Sequence, residues 1–195
     1  NEAKRLASEG VKELVLVAQE TTLYGKDLTG EKQLPLLLHE LCKIEGIEWI
    51  RLLYCYPEEI TDELIKVIKT EEKVCNYIDM PIQHSENRIL QRMGRRTSRE
   101  DLVAVIKKLR KEIPDITIRT TLITGFPGES QEDHEGLMNF VEECQFDRLG
   151  VFTYSPEEDT LAATFEDQID EEVKEERRDE LMSLQQEISY EHTQQ

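Results

Sequence analysis

The chain has few cysteines, and their spacing is not one by which cysteines usually bind a metal. The four cysteines are Cys42, Cys55, Cys75 and Cys144, and no CxxC or CxxxCxxC pattern joins them. Such scattered thiols do not make a metal site by sequence, and each is best interpreted as a reduced thiol in or near the core. We therefore expect this chain to supply no metal ligands.

Long hydrophobic runs are also missing. No apolar stretch reaches the length of a membrane span, and the first ten residues do not have the pattern of a signal peptide. Hydrophobic residues make up 38% of the chain and charged residues 34%, which is typical of a globular protein in water. We expect a cytoplasmic location and no membrane partner.

Basic residues are in clear deficit. Lysine and arginine number 24 against 42 aspartates and glutamates, a formal charge of −18. This balance argues against broad binding of this segment to a nucleic-acid backbone and favours a basic partner. The alternative is that the acids on helix surfaces serve solubility alone. The one basic cluster contains Arg92, Arg95, Arg96 and Arg99.

The pattern of apolar residues predicts five strands that alternate with helices. Such alternation indicates a parallel sheet, either an incomplete barrel or a doubly wound sheet. Thr61 is predicted to cap a helix from Asp62 to Thr70. A terminal helix is predicted from Asp170 to about Glu191, with Val173, Leu181, Leu184 and Ile188 as its apolar stripe. The predicted strands are Val11–Ala18, Ile47–Tyr54, Val74–Met80, Ile116–Thr124 and Phe146–Phe152.

Polar residues follow the carboxyl ends of all five predicted strands. In parallel α/β folds this edge holds the functional site. We therefore expect one site built from strand ends. The segments concerned are Gln19–Thr22, Tyr54–Tyr56, Gln83–Ser85, Thr124 with the following turn, and Tyr154–Pro156.

The fourth strand and its turn, ITIRTTLITGFPGES, predict a strand, a tight turn and a helix start. Arg119 interrupts an otherwise buried strand, so we expect a nearby group to need its charge. Gly125 and Gly128 permit the torsions of the turn. Ser130 and Asp133 have the spacing of a capping box, which predicts a helix that begins after Ser130. Glu129 is expected at the mouth of the turn, where it disfavours phosphate and suits a cationic or neutral ligand. The alternative is an ordinary turn between a strand and a helix.

Four histidines occur, and one of them lies at a predicted strand end. His84 is either a catalytic or ligand-binding group or a hydrogen-bonded histidine at a helix start. His39, His134 and His192 fall in helical positions that are expected to be exposed. No Ser-His-Asp arrangement is indicated by a nucleophile elbow, and no carboxylate pair has a spacing that suggests acid–base catalysis.

Taken together in order, five phrases resemble the radical S-adenosylmethionine methylthiotransferases. They run through nearly the whole chain, which makes the resemblance specific where a single motif would be weak. The phrases are AQETTLYG (Ala18–Gly25), YCYPEEIT (Tyr54–Thr61), YIDMPIQHSENRILQRMGRRTS (Tyr77–Ser98), RTTLITGFPGES (Arg119–Ser130) and DRLGVFTYSPEE (Asp147–Glu158).

Within this family one branch modifies tRNA and another modifies an aspartate of small-subunit ribosomal protein S-twelve. Thr121, the pair Gln83-His84 and the acidic pair Glu157-Glu158 resemble the ribosomal-protein branch. The charge of −18 agrees with this branch, because ribosomal proteins are basic. The tRNA branch, which methylthiolates adenosine, and a non-catalytic acidic binding module stay open as alternatives.

The resemblance implies a partial TIM-like β/α barrel of about five parallel strands with a C-terminal helix. It implies that S-adenosylmethionine lies across the strand ends and that an electron donor is a partner. By position, Gln19, Glu20 and Thr21 correspond to the segment near the methionine moiety, with Glu20 replacing the family's usual aspartate. The rest of the cofactor and substrate mouth is expected to contain Gln83, His84, Ser85, Arg119, Thr121, Gly125, Phe126, Tyr154, Ser155 and Pro156.

The family's CxxxCxxC loop is absent from this chain, as are its N-terminal cysteine domain and its C-terminal TRAM domain. That loop would hold the 4Fe-4S cluster that starts the radical chemistry in the full-length protein. We expect residues 1–169 to be the barrel core and residues 170–195 to lead towards the TRAM domain. The chain on its own is expected to be inactive.

Overall fold

The helices and strands alternate along the chain, as the sequence predicts. The computed structural model describes residues 1–194. The helices are α1 (Glu2–Ser8), α2 (Lys26–Thr29), α3 (Leu34–Cys42), α4 (Asp62–Thr70), α5 (Asn87–Arg92), α6 (Arg99–Glu112), α7 (Gln131–Cys144) and α8 (Glu171–Gln194). The strands are β1 (Glu13–Leu16), β2 (Trp49–Leu52), β3 (Tyr77–Asp79), β4 (Thr117–Thr124) and β5 (Arg148–Thr153).

The chain divides into two compact units, of which the first contains Asn1–Met80 and Val105–Ile118. In this unit β1 and β2 pair in parallel, with Leu14 opposite Ile50. Ile50 also forms a parallel bridge with Val74, so the chain before β3 continues the pairing. Ile50 and Leu38 are fully buried, which places the core of this unit between the strands and α3.

Helix α4 illustrates how the local sequence sets an element of the first unit. The Thr61 hydroxyl accepts a hydrogen bond from the Leu64 backbone N–H at 3.2 Å, which confirms the predicted N-cap. Leu64, Ile65 and Ile68 recur at helical spacing and are buried. The polar face of α4 remains exposed, as expected for a helix that covers a sheet.

The second unit contains Pro81–Ala104 and residues 119–194. Its centre is the parallel pair of β4 and β5, in register from Arg119 opposite Arg148 to Thr124 opposite Thr153. Gln83 extends this pairing: its N–H donates to the Thr121 carbonyl at 2.9 Å, and its carbonyl accepts from the Ile123 N–H at 2.8 Å. The carboxyl end of β4 therefore lies between β5 and the segment that begins at Gln83.

The turn after β4 has the predicted form. Gly125 and Gly128 both adopt positive φ, +70° and +82°, which side chains rarely tolerate. The Ser130 hydroxyl accepts from the Asp133 N–H at 3.1 Å, while the Asp133 carboxylate accepts from the Ser130 N–H at 2.7 Å. This capping box starts α7 and confirms the prediction.

Helix α8 differs from its predicted apolar stripe. Leu181 and Ile188 are buried as predicted, but two cations, Lys174 and Arg177, are buried with them. Gln185 is buried as well, and its side chain donates to the Phe146 carbonyl at 2.8 Å. The buried face of α8 is wider than its predicted apolar stripe, because hydrogen-bond acceptors lie opposite the buried polar side chains of the helix.

No helix within residues 1–194 is long and apolar enough to cross a membrane.

Candidate functional site

A cavity of about 740 Å³ opens in the second unit at the carboxyl ends of β4 and β5. Much of its wall is apolar, as in most sites for small molecules. Phe152, the penultimate residue of β5, is 60% exposed although it is a large aromatic residue. The apolar lining consists of Met93, Ile123, Phe126, Phe152, Leu161 and Ala162.

The aromatic wall of the cavity is packed in advance of any ligand. The rings of Phe126 and Tyr154 meet edge to face, with their centroids 5.2 Å apart, and Phe126 also meets Phe165 at 6.3 Å. Ile89 is buried against Phe126 and Tyr154. Edge-to-face aromatic pairs hold both rings in defined orientations, so this wall does not need to reorganise to bind a ligand.

Three polar atoms of the cavity lining are buried without a hydrogen bond. They are Oε1 of Gln83, the hydroxyl of Tyr154 and Nε of Arg92, none of which has a partner among the described residues 1–194. A buried polar atom without a partner costs free energy, so such atoms mark places where a ligand or water completes the structure. The cavity therefore offers an acceptor and a hydroxyl within an apolar wall.

Gln83 also has an unusual backbone. Its φ is +72°, in the left-handed region that residues other than glycine rarely adopt, yet two strand-type hydrogen bonds hold it there. Backbone conformations of this kind persist where the surroundings impose them, and they are concentrated at functional sites. Because Gln83 lines the cavity, this conformation supports a binding role for its carboxamide.

Beneath the turn after β4, three charged or titratable side chains form a buried network. Oε2 of Glu129 lies 3.0 Å from Nε2 of His84, and Nη1 of Arg177 donates to Oε1 of Glu129 at 2.8 Å. Burial acts to raise the pKa of Glu129, but the hydrogen bonds from His84 and Gly125 and the charge of Arg177 outweigh it. The pKa of Glu129 consequently lies below its ordinary value.

The position of Glu129 corrects the sequence-based expectation. Glu129 is 2% exposed and points into the protein, so its charge does not lie at the mouth of the turn. Its carboxylate accepts from the Gly125 N–H at 3.0 Å and from the Thr124 hydroxyl at 3.3 Å. The expectation was wrong because the sequence did not reveal Arg177 as a buried counter-charge 48 residues away.

In the first unit, Glu20 stabilises the turn that follows β1. Its carboxylate accepts from the backbone N–H of Thr22 at 2.9 Å and of Tyr56 at 3.1 Å. Burial raises the pKa of Glu20 above its ordinary value, although these hydrogen bonds act in the opposite direction. The hydroxyl of the buried Thr21 donates to the carbonyl of Leu53, the residue that follows β2, at 2.5 Å, whereas Gln19 is exposed.

The second strand of the first unit ends in another unusual conformation. Tyr54 has a φ of +57°, and its N–H donates to the Asp79 carboxylate at 3.1 Å. Its carbonyl accepts from the Thr21 N–H at 3.0 Å, so the residue is held from both sides. The predicted polar segments after β1 and β2 are thus in direct contact.

The structure brings together only part of the predicted site in the second unit. Gln83, Thr121, Phe126, Tyr154 and Ser155 line the cavity. His84 and Ser85 are fully buried, Gly125 lies in the turn, Arg119 is half-buried on β4 and Pro156 is exposed, and none of these five is part of the lining. Gln19, Glu20 and Thr21 belong to the first unit. The binding roles of all these residues stay predictions.

Several lining residues were not predicted from the sequence. Phe152 had a detectable signal, because it alternates with the buried Val151 on β5 and therefore faces the other side of the strand. Met93 and Leu161 had none, since Met93 directly follows α5 and Leu161 begins a short 3-10 helix (Leu161–Thr164) after β5. Only the folded chain shows that these segments border the same cavity.

The cysteines do not fit an iron–sulfur cluster. Among residues 1–194 no group of three histidine, cysteine or acidic side chains is placed to hold a metal ion. Burial raises the pKa of the Cys42 thiol to about 11 and raises that of Cys55 as well, so these sulfurs are protonated at neutral pH. Cluster ligands are several thiolates that lie close together, and the described cysteines are not grouped in this way.

Comparison with known proteins agrees with this fold. The family model of the radical SAM superfamily matches residues 1–141. "Ribosomal protein uS12 methylthiotransferase RimO" of Lachnoclostridium phytofermentans is 64% identical over 190 residues, which cover 97% of this chain and 43% of that protein. The protein of the same name from Clostridium perfringens is 60% identical over the same shares of both chains. The chain thus spans less than half the length of these curated relatives.

Solved structures with the same fold are distant in sequence. The methyltransferase TsrM of Kitasatospora setae has a TM-score of 0.60 at 17% identity, with 78% of this chain and 29% of that chain covered. SuiB of Streptococcus suis has a TM-score of 0.61 at 16% identity, with 93% and 38% covered. These likenesses establish the fold alone and confirm the predicted α/β architecture. The family match over residues 1–141 shows that the chain belongs to the radical SAM superfamily.

Proposed function

We propose that this chain is the S-adenosylmethionine-binding core of a cytoplasmic enzyme that adds a methylthio group to the β-carbon of an aspartate in ribosomal protein uS12. The observation that carries the proposal is the 64% identity over 97% of the chain to a protein named as a uS12 methylthiotransferase. We propose that the cluster cysteines and the TRAM domain of this enzyme lie outside the core at residues 1–169 and the C-terminal segment at residues 170–195.

The cavity of the second unit supports S-adenosylmethionine as its ligand. The cofactor combines a flat purine with a ribose that carries hydroxyl groups. The apolar wall formed by Ile123, Phe126 and Phe152 suits the purine, and the unpartnered atoms of Gln83 and Tyr154 suit a hydroxyl or amino group. A volume of about 740 Å³ leaves room for a substrate side chain beside the cofactor.

The residues of this chain bind and orient, while the cofactor carries the chemistry. Bound S-adenosylmethionine supplies the methyl group and the radical reactivity of the reaction. Gln83 accepts a hydrogen bond from the ligand, Tyr154 donates one, and the packed rings of Phe126 and Tyr154 exclude water from the purine. In the first unit, the proposed contact with the methionine moiety is made by Gln19, Glu20 and Thr21.

The charge of the chain supports a basic protein substrate. Ribosomal proteins are basic, and a chain with a formal charge of −18 attracts them over distance while it repels RNA. An electron donor is a further proposed partner, because the cofactor must be reduced before it reacts. The tRNA-modifying alternative has no comparable support in the charge distribution.

The test is a competition between the two substrate classes. The complete gene product with a reconstituted cluster is incubated with S-adenosylmethionine, a reductant, purified uS12 and bulk tRNA in one reaction. Mass spectrometry is expected to find one methylthio group on an aspartate of uS12. Modification of tRNA with unmodified uS12 would instead assign the enzyme to the tRNA branch, and modification of neither would contradict both assignments.

A further inference from the structure

The first two turns of α8 place two cations inside the protein. Lys174 is 2% exposed and Arg177 is 7% exposed, and both lie on the same face of the helix, three residues apart. Burying a lysine or an arginine carries a large desolvation cost unless hydrogen bonds replace the lost water. The acceptors of these two side chains therefore indicate what the cations are for.

Lys174 holds the end of β5 at the cavity. Its Nζ donates to the backbone carbonyl of Tyr154 at 3.0 Å and to the Glu171 carboxylate at 2.6 Å. Nζ also lies 5.5 Å from the centroid of the Tyr154 ring. The carbonyl it binds follows directly on the last residue of β5, so Lys174 fixes the backbone from which the Tyr154 ring projects.

The stem of Lys174 also packs against the turn after β4. A Cβ atom added at Gly125 would lie 2.3 Å from Cγ of Lys174, which no real structure tolerates without movement. Gly125 precedes Phe126, whose ring forms part of the cavity wall. One buried side chain thus contacts both segments that carry the aromatic wall.

Arg177 holds the same turn from the opposite end. Its Nη1 donates to the carboxylate of Glu129 at 2.8 Å and to the Glu129 carbonyl at 3.0 Å. The carboxylate in turn accepts from the Gly125 N–H at 3.0 Å. The turn from Gly125 to Glu129 is closed by this bond and by the Glu129 N–H, which donates to the Phe126 carbonyl at 2.9 Å.

These contacts are more specific than attachment of a helix requires. Farther along α8, Leu181, Gln185 and Ile188 are buried and attach the helix through apolar contacts and one hydrogen bond to Phe146. The two cations add no apolar anchor of this kind. The two cations bind the backbone of Tyr154 and the side chain of Glu129, which belong to the two segments that carry the aromatic wall of the cavity.

We propose that Lys174 and Arg177 are positioning residues that hold the rings of Tyr154 and Phe126 in the arrangement that binds S-adenosylmethionine. The assignment of this ligand rests on the proposed function, whereas the positioning itself does not. Helix α8 thereby becomes part of the binding apparatus, although neither cation is part of the cavity lining.

The experiment compares Lys174→Met and Arg177→Met with two controls in the complete gene product. Arg178→Met removes a neighbouring cation that pairs on the surface with Asp179, and Leu181→Ala weakens the packing of α8 without touching the cations. The two positioning variants are expected to raise the KM for S-adenosylmethionine about tenfold, with a smaller change in kcat. Both controls are expected to leave this KM unchanged at a temperature where they are folded.

A double variant tests the route through Glu129. If Arg177 acts by holding Glu129, then Arg177→Met combined with Glu129→Gln should bind the cofactor no more weakly than the worse single variant. Rescue by Arg177→Lys, which keeps the charge, should restore part of the affinity. Full additivity of the two substitutions, or an equal loss in Leu181→Ala, would overturn the proposal.

Amide hydrogen exchange separates failure of the positioning from failure of the proposed function. In Lys174→Met and Arg177→Met the amides of residues 124–126, 128 and 154 should exchange about tenfold faster than in Arg178→Met, with or without ligand. Unchanged exchange there would refute the positioning role. If exchange rises in the two variants but neither they nor the wild type bind S-adenosylmethionine, the proposed ligand is wrong and the positioning role remains.

Discussion

The imidazole of His84 and the carboxylate of Glu129 meet at 3.0 Å, and both side chains are fully buried. The other ring nitrogen of His84, Nδ1, accepts from the Glu86 backbone N–H at 3.0 Å and therefore carries no proton. Nε2 therefore donates to Oε2 of Glu129. The other carboxylate oxygen of Glu129 accepts from the Arg177 guanidinium at 2.8 Å.

Glu129→Gln should strongly destabilise the protein. The substitution leaves the Arg177 guanidinium buried without its counter-charge, and breaking a buried pair in this way costs roughly 3 kcal/mol. Urea denaturation followed by circular dichroism measures the free energy of unfolding. Glu132→Gln, at an exposed position in the first turn of α7, is the matched control and should leave the denaturation midpoint in place. Equal midpoints for the two variants would contradict the role given to Glu129.

Stability should fall in acid, and Glu129 should contribute to that fall. The pKa of Glu129 is lowered in the folded protein, so its contribution is present above the pKa of about 4.3 that it has in the unfolded chain. That contribution is lost as the pH drops through the lower folded value, because the unfolded chain then binds more protons. Free energies of unfolding measured from neutral pH down to about pH 3 should show a shallower decline in Glu129→Gln.

Asp133 behaves in the same direction and must be distinguished. Burial acts to raise its pKa, but hydrogen bonds from Ser130 and the Arg88 guanidinium outweigh this effect and lower the pKa. Asp133→Asn should therefore also flatten the acid decline. If neither variant alters the slope, these two carboxylates are not the groups that link stability to pH.

Gly125→Ala should be more destabilising than the same change at a glycine with a similar backbone. Gly94 has a φ of +73° and no atom within 4 Å of an added Cβ, whereas Gly125, at +70°, would crowd Lys174. Gly94→Ala should cost about 1 kcal/mol from backbone strain alone. Gly125→Ala should cost about 2 kcal/mol more, because the packed lysine stem must move. Equal losses in thermal or urea unfolding would show that Lys174 yields freely.

These 195 residues alone should form no iron–sulfur cluster. The four cysteines are dispersed, and in the part of the chain that the structure describes no three potential ligands are grouped. Iron and sulfide titration of the purified chain should give no cluster absorbance, and a reductive assay should release no deoxyadenosine. The complete gene product is the positive control. Cluster formation by the chain alone would mean that its own thiols can rearrange into a site.

The sequence predicted those features that depend on neighbouring residues. The strand β4, its glycine turn and the capping box of Ser130 were all predicted correctly, since alternation, positive φ and N-capping act over a few residues. The same holds for the N-cap at Thr61. Local rules sufficed here because the local and tertiary preferences coincide.

Features that depend on distant partners were not predicted. His134 was expected to be exposed, yet it is 1% exposed and lies 2.6 Å from Glu180, which is 46 residues away on α8. Lys174 and Arg177, which lie outside the predicted apolar stripe of the terminal helix, are buried as well. A charged residue on a helix is ordinarily exposed, and only the location of its acceptor overrides that preference. The sequence contains no local signal of such an acceptor.

Tyr154→Phe should separate ligand binding from stability. The Tyr154 hydroxyl is buried and has no hydrogen-bond partner within residues 1–194, so its removal should leave the free energy of unfolding unchanged or raise it by up to about 1 kcal/mol. If the hydroxyl instead serves the ligand, the affinity for S-adenosylmethionine should fall about fivefold in the complete gene product. Tyr190→Phe, at a residue 67% exposed, is the control and should change neither quantity. If Tyr154→Phe loses stability but keeps its affinity for S-adenosylmethionine, the hydroxyl stabilises the fold and does not bind the ligand.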